Sequence, residues 1–366
     1  MLNFLSSLGW AAANVVVGAA LINTVNPDIP GFAGIIIIAC ITLFITFFGY
    51  RVVHAYEYWS WIPNFIMFLI VLGVFAHSGD FVNIPMKSGT AALGSVLSYG
   101  STVFGFATGY TGYAADYTVY EPANRPKIKV FLATYLGMMF PVLFTQMLGC
   151  AVMTATANNG GDNIYQQGYD KSGVGGLLGA VLFPSLGRFG QFCEIILALS
   201  IVANNCPNVY SAGLTMQTWG NWTRRVPHVC WTLVGTAIYV AVAIPGYSDY
   251  EHMLENFMTF IAYWLAMYQG IALVDHFVFK RGLSGYVVEN YDKPHELAIG
   301  FASAFAFGCG VAGMVTGMSQ SWWVGPIAKT AGQLPFGGDV GFELALAFAA
   351  AGYLLTRPIE LRVIGR

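Results

Sequence analysis

The sequence predicts an all-α polytopic membrane protein of about ten transmembrane helices, and three observations carry that prediction. Only 9% of the 366 residues are charged, where a soluble globular chain carries about 25%. Apolar residues make up 56% and mean hydropathy is +0.61, the composition of a chain whose long apolar stretches cross a bilayer. The longest hydrophilic connection, near 155–172, is too short for a soluble domain. Residues 1–366 therefore read as a single transmembrane domain. Its work lies within the membrane: transport, conduction, signalling across the bilayer or intramembrane catalysis.

Crossing roughly 30 Å of hydrocarbon at 1.5 Å per residue takes about 20 apolar residues. Such stretches fall near 2–23, 32–50, 58–76, 97–117, 130–154, 189–213, 226–245, 255–278, 297–316 and 338–356. A further stretch, 173–186, is short and Gly-rich and is expected to be a re-entrant or interfacial piece. Lys and Arg are retained on the cytoplasmic side of short loops. With a cytoplasmic N-terminus, the inside loops and tail hold 12 of the 16 basic residues, from Arg51 through Arg224 and Arg225 to Arg357, Arg362 and Arg366. Both termini are thus expected in the cytoplasm. Met1 runs straight into LNFLSSLGWAAANVVVGAALIN with no basic residue before Arg51, so the start is no cleavable signal.

The net charge of −2 and the absence of basic runs give no sign of a nucleic-acid partner. Six cysteines without C-x-x-C spacing read as small buried hydrophobes. G-x-S-x-G, H-E-x-x-H and phosphate-cradling G-x-x-x-x-G-K-[ST] patterns are all absent and the histidines are scattered, so neither hydrolysis nor metal chemistry is indicated. The chain reads as no enzyme, with no cofactor and no metal site.

Polar groups inside apolar spans carry the chemistry. In the fourth span, Gly105, Gly109 and Gly112 suggest that the helix unwinds around Phe106 to Gly112, the way many transporters build a midplane site. Close helix packing is the competing reading of the same glycines. In the sixth span, Asn204, Asn205 and Asn208 surround Pro207. The proline removes a helix hydrogen bond, and the amides offer both donors and acceptors to the edge of a small heterocycle. Interhelical hydrogen bonding is the plainer role for membrane Asn, but three beside a proline exceed what it needs. In the first span Trp10 and Asn14 are four residues apart and share a helix face, an indole for stacking beside an amide. Glu194 and Asp116 are ionisable groups in spans, where an unpaired charge costs several kcal/mol; both are candidate proton carriers. Glu194 is the stronger, ten residues before Asn204, whereas Asp116 and Asp275 lie near cytoplasmic ends where hydration or a nearby base would serve them.

The strings GYRVVHAYEYWSWIPNF (49–65), GFATGYTGYAADYTVYEP (105–122), ALSIVANNCPNVYSAGL (198–214) and NFMTFIAYWLAMYQGIALVDHFVFKRGLSGY (256–286) strongly resemble fungal purine-cytosine permeases of the nucleobase-cation-symporter-1 family, and the similarity runs from residue 2 to the end. The resemblance implies a LeuT-like transporter core, an inverted repeat of five plus five helices followed by two more. It aligns the ten spans with the family's third to twelfth helices, so that the first two are absent from this sequence. It also implies that Trp10 and Asn14 stack on and hydrogen-bond a nucleobase, and that Asn204, Asn205 and Pro207 belong to a substrate-recognition motif. Phe106 and Tyr110 join the substrate set from the interrupted helix, Tyr110 standing where the family usually has Trp; a tyrosine still stacks and adds a hydroxyl. Glu194 as proton carrier rests on the residues alone.

The expectation is therefore a proton-coupled importer of cytosine and purines, working by alternating access in the plasma membrane, with a nucleobase and the lipid bilayer as partners and oligomeric state open. Related heterocycles such as allantoin, pyridoxine, thiamine or a nucleoside are the alternative substrates. A truncated, transport-dead membrane protein acting as receptor or partner is the alternative from another class.

Overall fold

An apolar helix without charged residues has no face to turn toward water and is stable only when covered all round or facing lipid. Helix α1 (Leu2–Val25) takes the first course: Ala11, Val15 and Ala19, one turn apart, are each 0% exposed. The computed structural model describes residues 2–112, 114–122, 124–290, 293 and 295–365, with backbone alone at 117, 251–253, 255 and 288. Among these residues regular structure is helical apart from two isolated β-bridges. Among the described residues seven helices are long and apolar enough to cross a membrane, and α2 (Gly31–Phe47) and α12 (Phe301–Gly317) are shorter apolar helices. The architecture is that of an all-α polytopic membrane protein. The 97–117 expectation meets a helix shifted toward the N-terminus, α4 (Gly89–Gly109). The chain divides into two compact units, residues 1–85 with 113–253 and residues 86–112 with 254–366.

The first unit is built around α1. Beside it and α2 stand α3 (Tyr50–Ser78), the short α5 (Ala114–Thr118), α6 (Lys127–Thr154), α7 (Ile164–Leu186), α8 (Arg188–Gln217), the short α9 (Asn221–Arg225) and α10 (His228–Gly246). Small residues let the backbones close up, the usual way helices associate where water supplies no hydrophobic drive. A Cβ on Gly34 of α2 would stand 2.8 Å from the Ala19 Cα. Helix α8 runs antiparallel to α1, because Asn3 donates to the Thr215 hydroxyl at 3.0 Å while Asn204 donates to Asn14 at 3.1 Å. The outward faces of α3 and α6 carry Trp59, Trp61, Phe131, Leu136, Phe140 and Met147, all exposed, which suits lipid contact.

The 173–186 stretch, expected as a re-entrant or interfacial piece, is the second arm of α7, which bends at Ser172 and Gly173, where Gly173 takes φ +57°. Leu177, Val181 and Leu182 are buried in the core that α1 and α8 also line. Glycine makes this packing possible: Gly175 lies against the backbone of Ala20, 2.6 Å from where its Cβ would be, a proximity no larger residue permits. The cysteines also divide. Cys193 and Cys206 are buried, but Cys40, Cys150 and Cys230 are exposed, a position an apolar solvent makes inexpensive for a thiol.

In the second unit, α12 and α14 (Gly341–Ile364) form a helical hairpin flanked by α4, α11 (Tyr250–Val274, in this unit from Leu254) and the short α13 (Pro326–Thr330). Ala302, Ala306, Gly310, Gly313 and Gly317 make the buried stripe of α12, and Ala345, Ala349 and Gly352 that of α14. Arg357, expected as a tail charge, is instead inside α14 and only 6% exposed. Its guanidinium pairs with Glu360 at 2.5 Å, and the other Glu360 oxygen accepts from the Phe301 N–H at 2.8 Å. That carboxylate satisfies one of the orphan donors that open α12. Tyr263 and Gln320 hydrogen-bond each other at 2.9 Å, and Tyr263 donates to Asp339, which also accepts from the Ser319 and Gly341 N–H groups.

Candidate functional site

Two antiparallel helices of the first unit bring the amides together. Trp10 and Asn14 share a face of α1 by their four-residue spacing, and Asn204 reaches across from α8 to donate its Nδ2–H to Asn14 Oδ1. Their surroundings grade from open to closed: Asn204 is exposed, Trp10 half-buried, Asn14 9% exposed and Asn205 0% exposed.

The hydrogen-bond inventory of this group is incomplete. Among the described residues Asn14 Nδ2 and both amide atoms of Asn205 have no partner, although a buried polar atom is normally paired. A side-chain amide has two donors and an acceptor, so the cluster presents free capacity of both kinds. Pro207 sits within α8, which continues through it from Arg188 to Gln217. Lacking an N–H, it leaves the Ala203 carbonyl without its helical donor. Next to it Asn208 donates its side chain to the Asn204 carbonyl at 3.2 Å, tying down the turn that carries Asn204. The arrangement can read the edge of a flat heterocycle by hydrogen bonds while an indole lies one turn away.

The other residues singled out earlier lie elsewhere. Phe106 and Tyr110 belong to the second unit, their rings edge to face at 6.4 Å. There the expected unwinding from Phe106 to Gly112 is corrected. Helix α4 stays α-helical to Gly109, and only Tyr110–Gly112 tightens into a 3₁₀ turn. Gly105 serves the packing role, since its Cβ would meet the Met258 carbonyl oxygen at 2.2 Å, and Thr108 donates to the Phe104 carbonyl at 2.6 Å.

Among the acids, Asp116 accepts from the Ser211 hydroxyl at 2.6 Å and Asp275 from the Tyr353 hydroxyl at 2.9 Å. Hydroxyls, not basic residues, are their partners. Glu194 differs: it is 0% exposed, and among the described residues neither carboxyl oxygen has a partner. Ser211 was missed as a supporting residue, whereas Asn208 was singled out with the other amides and turns out to bond the Asn204 carbonyl. A helical count finds Ser211 seven residues after Asn204 on one face, but nothing in the sequence says that Asp116 meets it. The Tyr263, Gln320 and Asp339 group was missed entirely, because its members are 57 and 19 residues apart in sequence.

The model of a family described as permease for cytosine/purines, uracil, thiamine, allantoin matches residues 1–325. The chain is 63% identical to the purine-cytosine permease fcyB of Emericella nidulans over 366 residues, covering 100% of this chain and 71% of the relative. It is 42% identical to the purine-cytosine permease FCY2 of Saccharomyces cerevisiae over 371 residues, covering 100% of this chain and 69% of that one. Against the vitamin B6 transporter TPN1 of Saccharomyces cerevisiae the identity is 29% over 410 residues, covering 98% and 70%. No solved structure matches the chain.

Proposed function

The chain belongs to the family of permeases for cytosine/purines, uracil, thiamine and allantoin, and on that premise we propose that it is a secondary transporter that carries cytosine and purine nucleobases into the cell, driven by protons. The observation that carries the substrate class is the amide cluster of the first unit. Asn14 and Asn204 are oriented by their mutual hydrogen bond, and Asn14 and Asn205 hold amide atoms without partners. A nucleobase offers ring nitrogens, a carbonyl and an exocyclic amine along one edge, donors and acceptors that amides complement. Trp10, one turn from Asn14, supplies a stacking surface for the ring. Asn208 ties down the Asn204 turn beside Pro207. Alternating access around such a site is the general scheme for secondary transporters.

A multi-pass membrane protein follows from the apolar helices and the family. The plasma membrane and cytoplasmic termini are the reading that suits an importer and the distribution of basic residues. The test is uptake of radiolabelled cytosine by a permease-deficient cell expressing the chain. Saturable uptake competed by adenine, guanine and hypoxanthine, and not by pyridoxine or allantoin, is the expected result. Competition by pyridoxine alone would overturn the substrate assignment.

A further inference from the structure

We propose that Glu194 is the proton-binding carboxyl of the transport cycle. The proposal that this proton drives uptake rests on the transport reading above; that Glu194 holds a proton does not. Glu194 lies two turns into α8, fully buried, with no donor to either carboxyl oxygen among the described residues. No ion pair among the described residues includes it. This distinguishes it from Asp116, which has the Ser211 hydroxyl.

The helices packed on α8 supply no countercharge at this level. The antiparallel register set by Asn14 with Asn204 puts Glu194 beside the C-terminal end of α1, a helix with no titratable residue. The 173–186 arm of α7, which packs on the same core, also has none, and Asp170 and Lys171 at the end of the first arm are exposed. Helix α3 runs antiparallel to α8, as Tyr56 donates to the Leu199 carbonyl and Tyr50 lies near Tyr210. Its stretch across from Glu194, residues 59–76, is likewise free of titratable groups. On α2 Cys40 is the single one and it is exposed, and on α10 His228 is held at the opposite end of α8 by the Tyr210 carbonyl. The titratable side chains of the shared core are thiols and phenols, such as Cys193, Tyr169, Tyr239, Tyr247 and Tyr250, and neither kind of group carries charge at physiological pH. Arg188, on the same helix, is exposed.

A carboxylate sealed in such surroundings, without donor or cation, is strongly disfavoured; the neutral acid is the form that fits. Glu194 therefore holds a proton while buried and releases it only when water reaches it. Its place on α8 links that event to substrate. Asn205 follows eleven residues later, three turns on and about 20° around the helix, so the two unpartnered groups share one buried face of a single rod. A tilt of α8 that opens the amides also changes the access of water to the carboxyl. In the cycle, a proton from water on the outer side forms the O–H bond on Glu194, and that bond breaks to water on the inner side. One proton crosses with each nucleobase and no other group is altered.

The test separates accumulation from exchange. In vesicles holding the full chain, Glu194→Gln keeps the shape and the neutral form but cannot release a proton. It is expected to exchange labelled for unlabelled cytosine at a rate within about twofold of wild type. Accumulation, limited for one coupled charge to roughly fiftyfold per 100 mV, should fall to none and lose its sensitivity to protonophores. Accumulation that persists and still collapses with protonophore would overturn the assignment. So would loss of exchange together with accumulation in membrane-inserted protein, since that marks a structural or substrate-binding role. A second readout needs no transport: the infrared C=O stretch of a protonated carboxyl is expected in the wild-type protein at neutral pH and shifted in Glu194→Asp. An unshifted spectrum overturns the proposal even if the glutamine variant does not reach the membrane. A wild-type chain that moves no nucleobase would sink the transport reading, yet the infrared band would still decide the carboxyl.

Discussion

If Asn14 and Asn204 read the nucleobase together, truncating either should weaken substrate binding, and truncating both should cost less than the sum. A neutral hydrogen bond in a protein is worth about 0.5–1.5 kcal/mol net. Losing one such bond to the ring raises the half-saturation for cytosine by up to roughly tenfold, at 1.4 kcal/mol per decade. Asn204→Ala has a second consequence fixed by the geometry. It removes the donor at 3.1 Å from Asn14 Oδ1, and Asn14 Nδ2 is already without a partner, so the whole remaining amide is freed to rotate away from the ring. The same holds in reverse for Asn14→Ala. Residues in one hydrogen-bond network couple by about 0.5–3 kcal/mol, so the double variant should sit well short of the roughly hundredfold that two independent tenfold losses give. The assay is initial-rate cytosine uptake over a concentration series for wild type, both single variants and the double variant, normalised to surface expression. Strictly multiplicative losses would refute the idea that the two amides act as one unit, and an unchanged half-saturation in Asn204→Ala would remove the pair from the substrate site altogether.

Two predictions concern what holds each unit together. Removing Arg357 by Arg357→Met strands the buried Glu360 carboxylate and should destabilise the second unit by about 3–5 kcal/mol, read as a lowered Tm in detergent; a wild-type Tm would show that the pair contributes nothing. Gly34→Leu places a side chain where its first carbon already meets the Ala19 Cα at 2.8 Å, and overpacking of this kind costs about 1–3 kcal/mol or more. The yield of monodisperse protein should fall, while Gly100→Leu, with nothing within 4 Å of its added carbon, serves as the control that stays unchanged.

The membrane character and the helical class were legible before any coordinates, because both depend on composition and on stretch length, properties that belong to each segment alone. So was the polarity of the site: amides beside a proline in an apolar helix stand out wherever they fold. Other features were read wrongly or left open for a physical reason. Glycine in the fourth span was equally consistent with unwinding and with close packing, and what decides is the carbonyl of Met258 on another helix. The arm at 173–186 read as too short and Gly-rich for a span of its own, and where it packs was open; glycine is what admits it against Ala20. Arg357 read as a tail charge because its partner Glu360 and the helix end at Phe301 meet it only when α12 and α14 pack.

By itself, then, the sequence determined that this is a polytopic helical membrane protein with a few polar side chains at membrane depth, since hydropathy and residue chemistry are local. Only the tertiary structure decided which of those side chains have partners. Asp116 found Ser211 and Asn14 found Asn204 across 95 and 190 residues of chain, whereas Glu194 found no donor. A hydrogen bond requires its two groups within about 3 Å, and that proximity is set by helix packing between segments whose separation in sequence carries no trace of it.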